Sequence, residues 1–426
     1  MSDAPATGDV LEIFSDERKR SFLNVDGAGR PLKSPVAPDT IHRARAYRLQ
    51  RICRELKRQD CAAALLYNPI NIRYAFDYTN MQIWTMHEML RYALVFADGP
   101  AIMFEFKGCE HLAKLGYGID EIRPSIGYLY MTHGTNAEAQ AKTFAAEIAG
   151  LMRKHGKGGR LAIDRIEPHG LHALEAEGIV TADGQKVMEH ARVIKAPEEI
   201  DMMRWTIRVA ESGLARMYEM SEPGVTENEV WAELHHENIR SGGEWFECRL
   251  LSSGPRTNPW YQEASDRVIA AGDMISFDTD MIGPYGVCAD ISRSWTCGHT
   301  RMSNRQWSLY AKAQDQIEHN LALLKPGLSF REFNEKSWRI PEKHQPFTYS
   351  LALHGVGLAD EWPVVALHTT FGEPYGQTEG MFEAGMTVCV ESLMAEQGSE
   401  SIKLETQVLI TETGAERLDH FPWETQ

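Results

Sequence analysis

The chain contains no stretch of the roughly 18 apolar residues that a membrane span requires, so no span is readable in it. Its opening residues, MSDAPATGDV, lack a basic segment followed by an apolar one, and no export signal is readable either. Basic residues are too few for a phosphate-binding surface: 44 Lys and Arg stand against 60 Asp and Glu, for a net charge of −16. That balance argues against nucleic acid and against anionic membranes as partners. The cysteines number seven, an odd count, and form no CxxC pair. Cys53, Cys61, Cys109, Cys248, Cys288, Cys297 and Cys389 therefore read as reduced thiols of a cytoplasmic protein rather than as a disulfide framework.

What the chain does have is enough length for two domains. Its 426 residues are 43% hydrophobic and 24% charged, the balance of an ordinary globular protein. Residues 1–40 are polar and rich in Pro and Gly, and read as an arm with little regular structure. Residues 41–193 alternate helical and strand-like patterns: a helix from Arg43 through Leu56, strands over Ala62–Tyr67, Tyr92–Phe96 and Ala101–Phe104, and a helix over Asn136–His155. The expected architecture is a smaller α/β domain. Residues 194–426 then form the larger domain. Pro197 and the two acids after it open a helix, because proline and negative charge both suit a first turn. One echo runs through this domain. Pro223-Gly-Val-Thr-Glu-Asn-Glu-Val and Pro326-Gly-Leu-Ser-Phe-Arg-Glu-Phe each open a helix behind a Thr or Ser cap, which suggests a duplicated half.

The chemistry concentrates in the stretch Gly272–Trp295. If Met274–Met281 is one extended strand, Asp278 and Asp280 share a face opposite Ile275, Phe277 and Thr279. A turn through Gly283, Pro284 and Gly286 would bring Asp290 back beside them. Three carboxylates so crowded call for a cation, although solvated acids on an outer hairpin face would give the same pattern. Further along, His354 lies in an apolar run ahead of a Gly-rich turn, and Glu391 and Glu405 each sit in a strand-like run of β-branched residues. Hard oxygen donors with one imidazole suit a pair of divalent first-row metal ions.

The order of these motifs resembles the pita-bread metalloenzyme family, which includes methionine aminopeptidase, aminopeptidase P, prolidase and creatinase. The residues that carry the resemblance are the Asp after a Gly-Asp strand, the Asp before Ile-Ser-Arg-Ser, His-Gly-Val-Gly, Val-Glu after Glu-Ala-Gly-Met, and Leu-Glu-Thr. The resemblance implies an α/β (α+β) architecture, with a creatinase-like N-terminal domain ahead of a pseudo-symmetric catalytic domain. By motif it assigns the ligands Asp278, Asp290, His354, Glu391 and Glu405 to two divalent transition metal ions. Iron is favoured among these, with zinc or manganese also possible.

Departures from the pattern carry as much information. Where the family's peptidases have a histidine upstream of the first ligand Asp, this chain has Trp260 and Tyr261, and where they have a second histidine after the ligand His it has Asp360 and Glu361. The family's Asp-x-Gly is Asp278-Thr-Asp280 here, so Asp280 is expected as an extra ligand. In these features the chain is similar to the dimethylsulfoniopropionate lyases built on the pita-bread fold, which release dimethyl sulfide and acrylate. That similarity implies a small zwitterionic substrate and a carboxylate base, Asp360 ahead of Glu361. Aromatic rings suit a sulfonium without hydrogen bonding to it, and the candidates are Tyr349, Trp260, Tyr261, Trp362, Tyr78 and Trp84. It also implies a homodimer, with Trp84 acting across the interface. The alternative is a dinuclear Xaa-Pro peptidase in which His344 or His368 supplies the missing imidazole, and a third reading is a noncatalytic relic of the fold.

Overall fold

The apolar runs of the first half assemble into one mixed sheet. In the computed structural model, which describes residues 17–367 and 379–425, Val36–Glu199 form one unit. Its strands are β1 (Cys61–Leu66), β2 (Tyr92–Phe96), β3 (Ala101–Glu105), β4 (Glu121–Pro124), β5 (Arg160–Ile163) and β6 (Thr181–Asp183), in the order β4-β3-β2-β1-β5-β6. β2 runs antiparallel to β1 and β3, while β1/β5, β3/β4 and β5/β6 are parallel. The helix Ala137–His155 presents Ala141, Phe144, Ala145, Ile148 and Met152 at helical spacing to Leu65, Tyr92, Leu94 and Phe104 of the sheet. Tyr92 stacks on Phe104 at 4.5 Å between ring centroids and meets Phe144 edge-on at 5.3 Å. The helix expected from Arg43 runs over Pro38–Arg58 with proline in its first turn. Its buried Arg48 holds Glu199 at 2.7 Å.

Ile200–Gln426 group with Met1–Pro35 as the second unit. Here β7 (Trp245–Phe246), β10 (Met281–Ile282) and β11 (Cys288–Ala289) form one antiparallel ladder, and β8 (Leu251–Ser253), β9 (Met274–Phe277) and β12 (Arg293–Thr296) form another. A five-stranded antiparallel sheet follows in the order β14-β13-β15-β16-β17, from β13 (Leu351–Val356), β14 (Asp360–Ala366), β15 (Thr387–Met394), β16 (Ile402–Ile410) and β17 (Ala415–Arg417).

One expectation is corrected by this layout: Met274–Met281 is not one strand. The chain breaks between β9 and β10, where Asp280 takes a left-handed backbone with φ +36°. Thr279 Oγ1 donates to Ala289 O at 2.8 Å and accepts from Ile291 N at 2.9 Å, so a side chain replaces ladder bonds at the break. Asp280 is brought round by this kink and not by strand pleating. The family pattern has glycine here, which adopts positive φ without strain, and Asp tolerates it better than most other residues.

The echoed motifs occupy equivalent places. Thr226 caps the helix Glu227–Arg240 by accepting from Glu229 N, and Ser329 caps the helix Phe330–Lys336 by accepting from Glu332 N. Gly224 N donates to Ile269 O and Gly327 N to Phe382 O, while Ile269 N returns to Val225 O and Phe382 N to Leu328 O. Bridges Thr226–Val268 and Ser329–Met381 complete the correspondence. The same bonds made twice are what a duplicated half predicts.

The polar segment at residues 17–35 has one helical turn, Glu17–Arg20, and is tied to the catalytic unit through side chains. Asn24 N donates to Ser212 Oγ at 2.8 Å and Arg240 Nη2 to Gly29 O at 2.7 Å. The buried Lys19 ammonium lies 4.0 Å from the centroid of the Tyr218 ring and pairs with Glu424.

Candidate metal centre

Each acid of the centre is aimed by the element that carries it. In the central strands β15 and β16, Glu391 and Glu405 are direct partners across the ladder, so their side chains rise from one face, close together. His354 on β13 pairs with Cys389 of β15, two residues from Glu391 on the same face. Asp278 leaves the end of β9, Asp280 the left-handed kink, and Asp290 the stretch after β11. Donor atoms within 4.8 Å of one another form three overlapping groups: Asp290, His354, Cys389 and Glu405; Asp278, Glu391 and Glu405; and Asp278, Asp280 and Asp290. His354 Nε2 stands 3.2 Å from Asp290 Oδ2, 3.3 Å from Glu405 Oε1 and 3.9 Å from Glu391 Oε1.

The hydrogen bonding of these carboxylates is lopsided. Tyr349 OH donates to Glu391 Oε2, Ser292 Oγ lies 2.7 Å from Asp278 Oδ1 and 2.8 Å from Glu405 Oε2, and Cys248 Sγ lies 2.7 Å from Asp280 Oδ2. By contrast Asp290 Oδ1, Glu391 Oε1 and Glu405 Oε1 are buried and meet no donor. Buried carboxylate oxygens without a partner are costly in a finished protein. Oxygens left bare on one side and tied on the other fit metal ligation, and the donor set of five carboxylates and one imidazole fits hard or borderline divalent ions. Asp278, Asp280, Asp290, His354, Glu391 and Glu405 would hold them.

The electrostatics agree. Burial pushes up the carboxyls of Asp278, Asp280 and Asp290, and the neighbouring acids add to it. Glu391 is pushed up to about 7 by burial, with Lys403 opposing. Burial acts the same way on Glu405, but Lys403 and His354 outweigh it and hold that carboxyl below the usual range. Burial alone would depress the His354 imidazole, yet Asp360, Asp290 and Glu405 hold it well above its ordinary value. So much crowded charge is the signature of a functional site.

Asp360 opens β14 at the rim. Its side chain is 52% exposed, with Oδ1 3.7 Å from His354 Nδ1, and burial of the surrounding pocket raises its carboxyl. Glu361 is spent differently: buried, it accepts from Leu358 N at 3.0 Å and fills the turn before β14. Of the aromatic candidates, Tyr349 and Tyr261 meet at the centre with ring centroids 5.7 Å apart, and Tyr261 is 63% exposed. Trp260 is buried, and Trp362 packs edge-on to Phe330 at 5.3 Å. Tyr78 and Trp84 belong to the other unit. There Tyr78 OH donates to Glu105 at 2.7 Å beneath the Arg91 guanidinium, and Trp84 meets Phe106 edge-on. His344 is buried with Nδ1 2.7 Å from Ala395 O, which takes it out of the running as a substitute imidazole; His368 lies outside the described residues.

Sequence reasoning passed over Lys403, Ser292, Cys248 and Cys389. Lys403 and Cys389 each lie two residues before a ligand on the same strand, so period-two alternation places both on the site face. A lysine in a strand is ordinarily solvated, which hid it.

Residues 201–412 match the model of metallopeptidase family M24. The chain is 42% identical over 394 residues to the dimethylsulfoniopropionate lyase DddP of Roseovarius nubinhibens, covering 91% of this chain and 88% of that protein. It is likewise 42% identical to the protein of that name from Roseobacter denitrificans, covering 89% and 86%. Among solved structures, the prolidase of Thermococcus sibiricus superposes with a TM-score of 0.72 at 19% identity, over 89% of this chain and 98% of that one. The prolidase likeness establishes the pita-bread architecture, the identity to the two lyases is too high and too extensive for architecture alone, and the chain belongs to the family of these dimethylsulfoniopropionate lyases within metallopeptidase family M24.

Proposed function

We propose that the protein is a metal-dependent lyase that cleaves dimethylsulfoniopropionate to dimethyl sulfide and acrylate. The observation that carries the reading is a half-exposed carboxylate, Asp360, at the rim of a buried cluster of metal-competent acids. Asp360 takes the proton from the carbon next to the substrate carboxylate. The electron pair released becomes the carbon–carbon double bond, and the bond from the next carbon to sulfur breaks with its pair going to sulfur, which leaves as neutral dimethyl sulfide. That proton is weakly acidic because the carboxylate beside it is already negative; divalent ions held by Asp278, Asp280, Asp290, His354, Glu391 and Glu405 would neutralise that charge. Two such ions fit the number of donors, with iron the favoured identity. The raised carboxyl of Asp360 makes it a stronger base than a solvated aspartate. The faces of Tyr349 and Tyr261 receive the sulfonium, each worth about 0.5–2 kcal/mol.

The M24 match favours one other reading, an Xaa-Pro peptidase. Peptide hydrolysis requires proton delivery to the leaving amine, and among the described residues His354 is the one imidazole in the donor groups. Assaying the manganese- or iron-loaded protein for headspace dimethyl sulfide and acrylate, beside hydrolysis of a Gly-Pro dipeptide, separates the two. Dipeptide cleavage without sulfide release overturns the lyase. A homodimer and a cytoplasmic location accompany the proposal; all seven cysteines are unpaired, as a reducing compartment would keep them.

A further inference from the structure

Asp278, Glu391 and Glu405 each turn one oxygen toward a single nitrogen. The Lys403 ammonium lies 3.0 Å from Asp278 Oδ2, 2.7 Å from Glu391 Oε2 and 2.6 Å from Glu405 Oε2, and the side chain is 1% exposed. An ammonium has three hydrogens to donate, and three carboxylate acceptors use them all. None is left for a substrate carboxylate, so Lys403 does not act by binding substrate. Its effect falls on the ligands. The glutamate oxygens it holds are both Oε2, and the two Oε1 atoms opposite are the ones that meet no donor. Lys403 thus decides which oxygen of each glutamate is offered to a metal ion.

Charge gives a second, independent reason for a lysine here. The acids of the centre are Asp278, Asp280, Asp290, Glu391 and Glu405, and two divalent ions leave one of these five charges uncompensated. With glycine at position 280, as in the family pattern, four acids would balance two ions without help. We propose that Lys403 is a built-in third cation of the metal centre, a positioning residue that fixes the ligand oxygens and offsets the carboxylate added by Asp280. The proposal rests on the metal-centre reading and is independent of the substrate.

The test is a double-variant cycle on the full chain, using Lys403→Met, Asp280→Asn and the pair together. Each is melted metal-free and again with saturating Mn2+, and Mn2+ binding is titrated alongside. Lys403→Met alone leaves three buried carboxylates facing one another. Its metal-free Tm is expected to fall by roughly 5 °C or more, and Mn2+ is expected to raise it by more than it raises the wild type, because the ions become the only cations present. Adding Asp280→Asn removes one charge of each sign and is expected to recover at least half of that loss. A Lys403→Met chain that folds only in the Asp280→Asn background supports the proposal equally. Equal penalties for Lys403→Met in both backgrounds, or no penalty in either, overturn it. Wild-type protein that binds no Mn2+ would instead sink the metal-centre reading itself, so the two failures are distinguishable.

Discussion

Replacing Asp360 with Asn tests the chemistry at the least structural cost. The side chain is half exposed, and its nearest charged partner, His354 Nδ1, lies 3.7 Å away and also faces Gly355 O at 3.0 Å. A pair so long and so open contributes about 0–1 kcal/mol, so the Tm is expected to move by less than about 4 °C. Asp360 is absent from the donor groups, so metal content is expected to match the wild type. Catalysis is another matter, because Asn has the same shape but no free pair able to accept a proton. Loss of a general base costs a factor of about 10² to 10⁴, or roughly 3–5 kcal/mol of barrier. The assay is release of dimethyl sulfide and acrylate by protein of verified metal content. Retention of more than a tenth of wild-type kcat with full metal would refute Asp360 as the base. Glu361→Gln is the control: because Glu361 holds Leu358 N in the turn, it is expected to lower Tm and leave the turnover of folded protein largely intact.

Three further outcomes follow from the structure. Tyr349→Phe removes the hydroxyl that anchors Glu391 Oε2, and Mn2+ affinity is expected to fall about 10- to 100-fold; unchanged affinity would deny Tyr349 any part in holding the ligand. Gly355→Ala places a Cβ 2.4 Å from the Trp362 carbonyl oxygen, a backbone atom that cannot turn away, so a loss of roughly 2 kcal/mol or more is expected in denaturant unfolding. Glu211 is buried, accepts from His420 N, and is pushed from 4.5 up to about 7, chiefly by burial. The folded chain therefore holds that proton more tightly than the unfolded one, and stability drains away as pH rises from about 4.5 to about 7, by at most about 3 kcal/mol. Glu211→Gln is expected to raise Tm at pH 8 and change it little at pH 4; a difference that does not grow with pH contradicts the assignment.

How much of this was legible in the residues depends on the range of the interaction. His354, Glu391 and Glu405 could be placed on strands because alternation is local, and the helix limits near Pro38, His155 and Pro197 followed from local capping and proline rules. The opposition of Glu391 to Glu405 is a matter of register, fixed by a whole sheet, and no window around either residue contains it. Asp280 was placed beside Asp278 for the wrong reason: a pleat was assumed where a left-handed residue and the Thr279 hydroxyl break the strand. The catalytic unit's grip on residues 17–35 was invisible because Asn24 and Lys19 find partners at Ser212 and Glu424, far along the chain. Lys403 was missed for want of weight given to alternation when it contradicted the habit of lysine to seek water.

The Lys19–Glu424 contact spans 405 positions of sequence, with the whole Val36–Glu199 unit inserted between the pieces it joins. A ribosome adding about 5–20 residues per second needs roughly 20–80 s to cover that distance. The inserted unit has all its strands in hand long before then and is free to fold during translation. The segment carrying Lys19 must wait, its partner not yet made, which makes completion of the catalytic unit a late event and the newborn chain dependent on keeping that early segment unengaged.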